Sequence, residues 1–88
     1  MQSIQQLVEK IIEKDHKALE ELYDRYYLFV WTFSTKLCGS SPTCEKIVQA
    51  TFSHIWENPR DFYTSSSSFP SYLLQVAKSK ITALQHAG

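Results

Sequence analysis

Hydrophobic side chains recur at helical spacing along most of the chain, and the densest part of this pattern is central. From Leu19 to Phe33 the sequence reads LEELYDRYYLFVWTF, with six aromatic residues in its last eleven positions. The spacing predicts a helix that is apolar on two adjoining faces and is therefore covered from two sides. The first face collects Leu19, Leu22, Tyr26, Phe29, Val30, Phe33 and Leu37, and the second collects Tyr23, Tyr27 and Trp31.

Capping signals place the ends of the first two helices. Ser3 and Gln6 have the spacing of a capping box, which predicts a first helix from about residue 4. Asp15 is the predicted N-cap of the central helix, which runs to about Cys38 and is ended by Gly39. The inward face of the first helix is predicted to hold Ile4, Leu7, Val8, Ile11 and Ile12.

Prolines mark the bounds of a third helix. Ser41 followed by Pro42 predicts its start, because proline is favoured at the first helical position. Pro59 predicts its end, since the residue before a proline is disfavoured in the helical region. Its predicted core stripe is Cys44, Ile47, Val48, Thr51, Phe52, Ile55 and Trp56.

The stretch from Arg60 to Ser68, RDFYTSSSS, shows no periodicity and predicts an irregular loop. Its four serines compete with helix for their own backbone groups. A last helix is predicted from about Phe69 or Pro70, capped by one of the last serines. Its inward residues are predicted to be Tyr72, Leu73, Val76, Ala77, Ile81 and Leu84.

These elements predict an all-α fold, a compact bundle of about four helices with one irregular loop before the last helix. We expect residues 1–88 to form a single domain, since so short a chain supports one core. No strand pattern and no internal repeat is apparent. Phe29, Phe33, Phe52, Ile55 and Trp56 are predicted to lie in the core.

Composition narrows the class of protein. Hydrophobic residues make up 43% of the chain, which argues against disorder, and nine basic residues balance nine acidic ones. A neutral chain has no global field for nucleic acid, so contact with DNA must come from a local patch. The N-terminal segment has neither the signal-peptide nor the membrane-span pattern, and we expect a cytoplasmic protein without a membrane partner.

Candidate chemistry for an enzyme is sparse. Cys38 and Cys44 flank a short loop, and they are either two small buried hydrophobes, the favoured interpretation, or a disulfide. The histidines show no ligand spacing with the cysteines, so no metal and no cofactor is predicted. His54 is interpreted as a surface residue rather than a catalytic one. We therefore predict that the chain is not an enzyme.

Two surfaces are candidates for binding. One is the polar face of the third helix, and the other is the loop with Phe62 and Tyr63 beside a mildly basic last helix. Aromatic planes, hydroxyls and lysines together are what a reader of single-stranded DNA needs. The competing interpretation is a solvated connection with Phe62 packed into the core. The third-helix face comprises Glu45, Lys46, Gln49, Ala50 and Ser53, and the last helix carries Lys78 and Lys80.

Three segments in sequence order carry a resemblance to one family. They read DHKALEELYDRYYLFVWTF, EKIVQATFSHIWENP and FPSYLLQVAKSKI, and their most specific parts are ALEELYDRYY and IVQATFSHIW. Together they resemble the second conserved region of extracytoplasmic-function sigma factors, the promoter-recognition subunits of bacterial RNA polymerase. The resemblance covers about residues 15–84.

The resemblance implies an all-helical domain with two binding tasks. The exposed face of the third helix would bind the clamp helices of the largest polymerase subunit, and the loop would recognise and open the minus-ten promoter element as single-stranded DNA. An anti-sigma protein is a further implied partner. The implied polymerase-binding residues are Glu45, Lys46, Gln49 and Ser53, and the implied DNA-binding residues are Phe62, Tyr63, Ser65, Ser66, Ser67, Ser68, Tyr72 and Lys78.

Departures from the family pattern leave alternatives open. Lys46 and Ala50 stand where the family has acids, Tyr72 replaces a tryptophan and Lys78 replaces an arginine. The tail of residues 82–88 lacks the expected basic side chains, and no helix-turn-helix domain follows it. The chain is then either a piece of a longer sigma factor, which is favoured, or a free-standing domain. The rival function is a sigma-like interaction module, binding an anti-sigma protein or the clamp, that no longer reads DNA.

Overall fold

A computed structural model describes the backbone of residues 3–39 and 41–87, and the side chains within these ranges except those of residues 41 and 85–87. The described residues form five α-helices and no strand, four of the helices being long, which confirms the predicted all-α fold. The helices are α1 (Ile4–Ile12), α2 (His16–Cys38), α3 (Ser41–Glu57), α4 (Asp61–Thr64) and α5 (Phe69–Ala87).

Local capping chemistry accounts for the helix ends. The Ser3 hydroxyl accepts a hydrogen bond from the Gln6 N–H, and the Gln6 side chain accepts one from the Ser3 N–H, so the predicted capping box is confirmed. Asp15 caps α2 by accepting from the Lys17 N–H. Gly39 ends α2 in the left-handed region at φ 77°, a conformation that glycine adopts without steric cost.

The starts of α3 and α5 follow the predicted signals closely. Helix α3 begins at Ser41, with Pro42 in its first turn, and ends at Glu57, two residues before Pro59. Helix α5 begins at Phe69, and the Ser68 hydroxyl accepts from the Ser71 N–H at 3.4 Å.

Helix α2 is the centre of the bundle and packs against α1, α3 and α5. Its ring contacts show the two-sided cover that its pattern predicts. The Tyr23 ring lies 4.9 Å from Phe52 of α3, and the Tyr26 ring lies 5.3 Å from Phe69 of α5, between centroids. All four long helices contribute to one hydrophobic core. Its buried residues include Leu7, Ile11, Leu22, Val30, Ile47, Val48, Ile55, Leu73 and Ala77.

The predicted inward face of α2 is shifted in the structure. Its buried residues are Ala18, Leu22, Val30 and Ser34, a stripe with a four-residue repeat, so residues at the margin of the predicted face reach solvent. Ser34 can lie in this stripe because its hydroxyl donates to the Val30 carbonyl at 2.8 Å. Three residues predicted to face inward are exposed: Phe29 at 40%, Leu37 at 50% and, on α5, Leu84 at 42%.

The junction of α1 and α2 holds the C-terminal end of α3. Lys14 takes a left-handed backbone conformation at φ 64°, and its ammonium lies 4.6 Å from the centroid of the Trp56 ring. The same Nζ donates to the Trp56 carbonyl oxygen, and the His16 ring stacks on Trp56 at 4.5 Å between centroids. Trp56, predicted as core, is therefore only partly buried beneath these two side chains.

Two further predictions concern the pair Cys38 and Cys44, which could be free or form a disulfide, and the segment 60–68, which was expected to be irregular. Cys38 and Cys44 are free thiols, and burial, followed by the proximity of Cys38, raises the pKa of Cys44. The segment predicted as irregular contains the one-turn helix α4. Among the described residues, none of the helices combines the length and apolar character needed to cross a membrane.

Candidate functional site

The first candidate surface is the outer face of α3. Glu45, Gln49 and Ser53 follow one another at intervals of four residues, which aligns them on one side of a helix. Lys46 lies beside them, and all four side chains are exposed. The opposite side of α3 is buried, so this face is presented by a helix that the core holds in place.

A cleft of about 450 Å³ runs between this face and α2. Gln49 and Ser53 form its polar edge, and aromatic rings of Tyr23, Phe52 and Trp56 form much of its wall. The structure thus brings two of the predicted polymerase-binding residues onto one apolar cleft. The other residues lining it are His16, Leu19 and Glu57.

An aromatic ridge continues from this cleft along α2. The Tyr23 and Tyr27 rings are 5.2 Å apart, and the Tyr27 and Trp31 rings stack at 6.0 Å, between centroids. All three side chains are partly buried rather than enclosed. The pKa of Tyr23 is raised, mainly by burial and to a smaller extent by the nearby Tyr27 and by Glu45 of α3. The Tyr23 hydroxyl is therefore close enough to the α3 face to interact with its charge.

The second candidate surface is centred on α4. The Phe62 ring is partly buried and lies 5.2 Å from Phe69 and 5.7 Å from Tyr72, between centroids. Tyr63 is 46% exposed, and its ring lies 5.7 Å from that of Phe62. Of the two loop aromatics, Phe62 is packed against the core, and Tyr63 offers a ring to solvent.

Tyr72, also predicted to bind DNA, is only 5% exposed and lies beneath Phe62. Among the described residues its Oη is the one buried side-chain polar atom without a hydrogen-bond partner. Burial, and secondarily the charge of Asp61, raises the pKa of Tyr72 to about 12. In this conformation Tyr72 supports the aromatic cluster from below.

The serines after α4 are tied together by local hydrogen bonds. The Ser65 hydroxyl donates to the Phe62 carbonyl at 2.8 Å, and the Ser67 N–H donates to the Ser65 Oγ at 3.3 Å. Ser66 takes a left-handed conformation at φ 56°, which turns the chain toward α5. Ser68 hydrogen-bonds through its Oγ to Ser71 Oγ at 3.1 Å.

A polar track on α5 continues the serine segment. The Gln75 side-chain amide donates to the Ser67 Oγ at 3.1 Å. Ser71, Gln75 and Lys78 are exposed and share one helix face at three- and four-residue intervals. Lys78 lies nine residues after Phe69, which corresponds to roughly 14 Å along the helix axis. The exposed members of the predicted DNA-binding set, Tyr63, Ser66, Ser68 and Lys78, thus lie on α4, the serine segment and α5, whereas Tyr72 is buried.

A second cleft, of about 420 Å³, opens beside the exposed aromatic ring. Phe62, Tyr63 and Phe69 line one part of it, and Ile4 and Gln5 of α1 line the other. The N-terminal helix therefore contributes to this surface. Pro70 completes the lining.

His54 differs from its prediction as a surface residue. Its side chain is 24% exposed, and it lies between Asp61 of α4 and Lys80 of α5. It therefore connects α3, which carries the first surface, with the two helices that carry the second.

The comparison with known families decides which class of protein has these two surfaces. The sequence profile of the family described as Sigma-70 region 2 matches residues 22–84, which is more than two thirds of the chain. The chain belongs to the sigma-70 region 2 family. No curated protein and no solved structure gave a significant match.

Membership of the sigma-70 region 2 family gives the chain a sigma-factor role in transcription initiation. The family binds the RNA polymerase core and promoter DNA, and it is a transcription-factor domain not known as an enzyme. The matched range takes in every predicted polymerase-binding and DNA-binding residue, from Glu45 to Lys78, whereas α1, which lines part of the second cleft, lies outside it.

Sequence reasoning missed several residues that this sigma-70 region 2 domain places on its surfaces. The hydrophobic pattern predicts that Tyr27 and Trp31 are covered, although the amphipathic rings of tyrosine and tryptophan are typical of interfaces. Ser71 and Gln75 share the register of Lys78, and that register was available in the sequence. Gln5 carried no signal, because its position depends on how α1 packs.

Proposed function

We propose that this chain is the clamp- and promoter-binding domain of an extracytoplasmic-function sigma factor. The observation that carries the proposal is the presence, within the matched range, of two separate surfaces with different chemistry. One is a polar helix face beside an aromatic cleft, and the other is an aromatic and serine-rich segment continued by a lysine. The extracytoplasmic-function subtype is supported by ALEELYDRYY and IVQATFSHIW.

For the polymerase, the proposed contact is α3 together with the ridge on α2. Glu45, Lys46, Gln49 and Ser53 supply polar groups, and the cleft beside Gln49 gives an apolar seat for a side chain of the clamp helices. Interfaces of this kind draw their affinity from buried aromatic contacts, whereas exposed charges mainly affect the rate of encounter. The loss of acids at Lys46 and Ala50 therefore weakens the contact without abolishing it.

For the promoter, the proposed contact is the strip from α4 to Lys78. Tyr63 offers an exposed ring on which an unpaired base can stack. Phe62 contacts this ring and is itself packed on Tyr72, so the two residues support the position of Tyr63. Ser65, Ser66, Ser67 and Ser68 supply hydroxyl and backbone groups at the turn. Lys78 lies far enough along α5 to reach a phosphate beyond the stacked base.

The polymerase contact is tested by calorimetry between this chain and the isolated clamp helices of the largest polymerase subunit. We expect micromolar or tighter binding that is weakened by Gln49→Ala. Thr82→Ala, an exposed substitution on α5, is the control and leaves the affinity unchanged. An absence of binding by the folded wild-type chain would contradict this part of the proposal.

The promoter contact is tested by selecting short single-stranded DNA from a random pool on the chain mixed with clamp helices. We expect one preferred sequence, whose binding weakens when Tyr63 is changed to alanine. Recovery of unrelated sequences with equal affinity, or of none, would contradict promoter reading while leaving the polymerase contact intact.

A second candidate function is a sigma-like module that binds the clamp or an anti-sigma protein and does not read DNA. Lys46, Ala50 and the absence of arginine and lysine from residues 82–88 favour it. For single-stranded DNA, each phosphate contact that is lost reduces the slope of log affinity against log salt concentration by about 0.7. The selection of single-stranded DNA distinguishes the two candidate functions, because a preferred sequence is expected only if the chain is a sigma factor that reads the promoter.

A further inference from the structure

His54 lies at a junction of three helices. One nitrogen of its ring contacts an acidic side chain, and the other contacts a basic side chain. Its Nε2 lies 3.1 Å from Oδ2 of Asp61, the first residue of α4. Its Nδ1 lies 3.5 Å from Nζ of Lys80, which is on α5. The three residues thus form a chain of contacts from α5 through α3 to α4.

The chemistry of the two neighbours selects one protonation state of the ring. A lysine ammonium carries only donors, so the contact with Lys80 requires that Nδ1 accept and carry no proton. An ionised carboxylate only accepts, so the contact with Asp61 requires a proton on Nε2. The neutral Nε2–H tautomer satisfies both contacts together, whereas an imidazolium would direct an N–H at the Lys80 ammonium.

Other charged groups lie around this junction. Asp61 borders a cleft of about 330 Å³ that is also lined by Lys14, Glu57 and Arg60. Glu57 is on α3 itself, Lys14 comes from the α1–α2 junction, and Arg60 immediately precedes α4. Within the part of the chain that the structure describes, Asp61 and Lys80 are the charged side chains that hydrogen-bond to the His54 ring.

The short helix depends on such tethers. A helix of four residues gains little from its own backbone bonds, and Arg60 supplies no side-chain cap to it in the described structure. Asp61 immediately precedes Phe62 and Tyr63, so a tether on its carboxylate acts directly on both rings. The contact from α3 and α5 therefore reaches the candidate DNA-binding surface.

We propose that His54 is a positioning residue, which joins Lys80 to Asp61 and thereby fixes the orientation of Phe62 and Tyr63 for DNA. This inference rests on the proposed promoter-binding function. It adds a residue outside the predicted DNA-binding set, and it ties the placement of the loop to one tautomer of the His54 ring.

The test compares two substitutions of His54 in the full chain. His54→Phe keeps a ring and removes both nitrogens, whereas His54→Gln keeps an N–H that can reach Asp61. With clamp helices present, binding of the selected single-stranded DNA is measured by fluorescence anisotropy. We expect His54→Phe to weaken it about tenfold and His54→Gln to retain most of it, since a hydrogen bond to a charged group has this magnitude. Affinity for the clamp helices alone stays unchanged in both.

A second pair of variants addresses the possibility that His54→Phe does not fold. Lys80→Met and Asp61→Ala each interrupt the chain of contacts at one end, and Lys36→Met removes an exposed lysine elsewhere as the matched control for Lys80→Met. We expect Lys80→Met to weaken DNA binding and Lys36→Met to leave it unchanged. Combining Asp61→Ala with Lys80→Met produces little further loss beyond the larger single effect, because both interrupt the same chain of contacts.

The tautomer gives a readout that does not depend on DNA. Nitrogen NMR of the His54 side chain above neutral pH is expected to show a protonated Nε2 and an unprotonated Nδ1. The Nδ1–H tautomer would overturn the proposal, as would wild-type affinity for DNA in both His54→Phe and Lys80→Met. If the wild-type chain binds no selected DNA, the promoter function and this inference fall together; if it binds and the variants match it, only this inference falls.

Discussion

The two candidate surfaces are built in different ways. The α3 face belongs to a long helix whose opposite side is buried through Ile47, Thr51 and Ile55, so its outward residues are placed by the core. The α4 segment has four helical residues and is held by side-chain contacts with its neighbours. A surface of the first kind can change its polar residues without changing its shape, whereas in the second kind a side chain such as Phe62 serves both binding and structure.

The largest effect is expected where the two surfaces share a support. Leu73 is fully buried on α5, and Leu73→Ala is predicted to lower the free energy of unfolding by about 2–5 kcal/mol. Urea denaturation followed by circular dichroism measures the change. Leu28→Ala is the matched control, because Leu28 is 70% exposed, and its effect is expected to stay within about 0.5 kcal/mol. Equal midpoints for the two variants would contradict the assigned core.

Phe62 and Tyr63 sharpen the comparison within the second surface. Tyr63→Ala is expected to weaken binding of single-stranded DNA by about 1–3 kcal/mol, the magnitude of one base stacked on an aromatic ring. Its unfolding free energy changes little because the ring is exposed. Phe62→Ala is expected to lower DNA binding and stability together, since this ring packs against Phe69 and Tyr72. Thermal unfolding beside anisotropy separates the two, and a stable Phe62→Ala variant would argue against the packed role.

A smaller effect is expected on the α3 face. Lys46→Glu restores an acid where the family pattern has one and is expected to tighten clamp binding by about 0.2–1 kcal/mol at low salt. The gain should fade as salt screens the exposed charge. Lys36→Glu makes the same charge change on α2 and serves as the control. Tighter binding by both variants would point to net charge rather than to this face.

The smallest effect at neutral pH is expected at Tyr72. The folded-state pKa of Tyr72 is about 12, above the ordinary value of 10.0, so the unfolded chain releases this proton first. Stability present below pH 10 is therefore lost progressively as the pH rises toward 12. Tyr72→Phe removes the unpartnered hydroxyl, and we expect its unfolding free energy at neutral pH to equal the wild-type value or exceed it by up to about 1 kcal/mol.

The same variant should lose less stability than the wild type in the alkaline range. Urea midpoints measured at neutral pH and at increasing alkaline pH give the comparison. Parallel loss in both proteins would contradict the assigned role of the Tyr72 hydroxyl.

The sequence predicted the long helices well because their signals are local. The Ser3–Gln6 capping box, Asp15 and Gly39 each act within one turn, and the structure has them as predicted. The inward face of α2 was predicted less well. Phe29 has the right spacing but lies at the margin of the stripe that ends in Ser34, and which margin is covered depends on how the neighbouring helices cross.

The second surface could be predicted only in part. Four residues of α4 give too short a run for any periodicity to be detected, and the serine hydrogen bonds depend on the turn at Ser66. His54 meets Asp61 seven residues away and Lys80 twenty-six residues away, so neither contact follows from local spacing. The assignment of individual residues to polymerase and DNA stays a prediction.

The contacts of Lys14 with Trp56 limit which substitutions can be accepted at either position. Its left-handed backbone costs about 1–2 kcal/mol for a residue with a side chain, so glycine would relieve the backbone, but only a long cation reaches the ring and carbonyl of Trp56. Positions 14 and 56 should therefore change together among descendants of this chain. A glycine at position 14 is expected to accompany a smaller or better covered side chain at position 56. Sequences that keep tryptophan at position 56 without a long cation at position 14 should be rare.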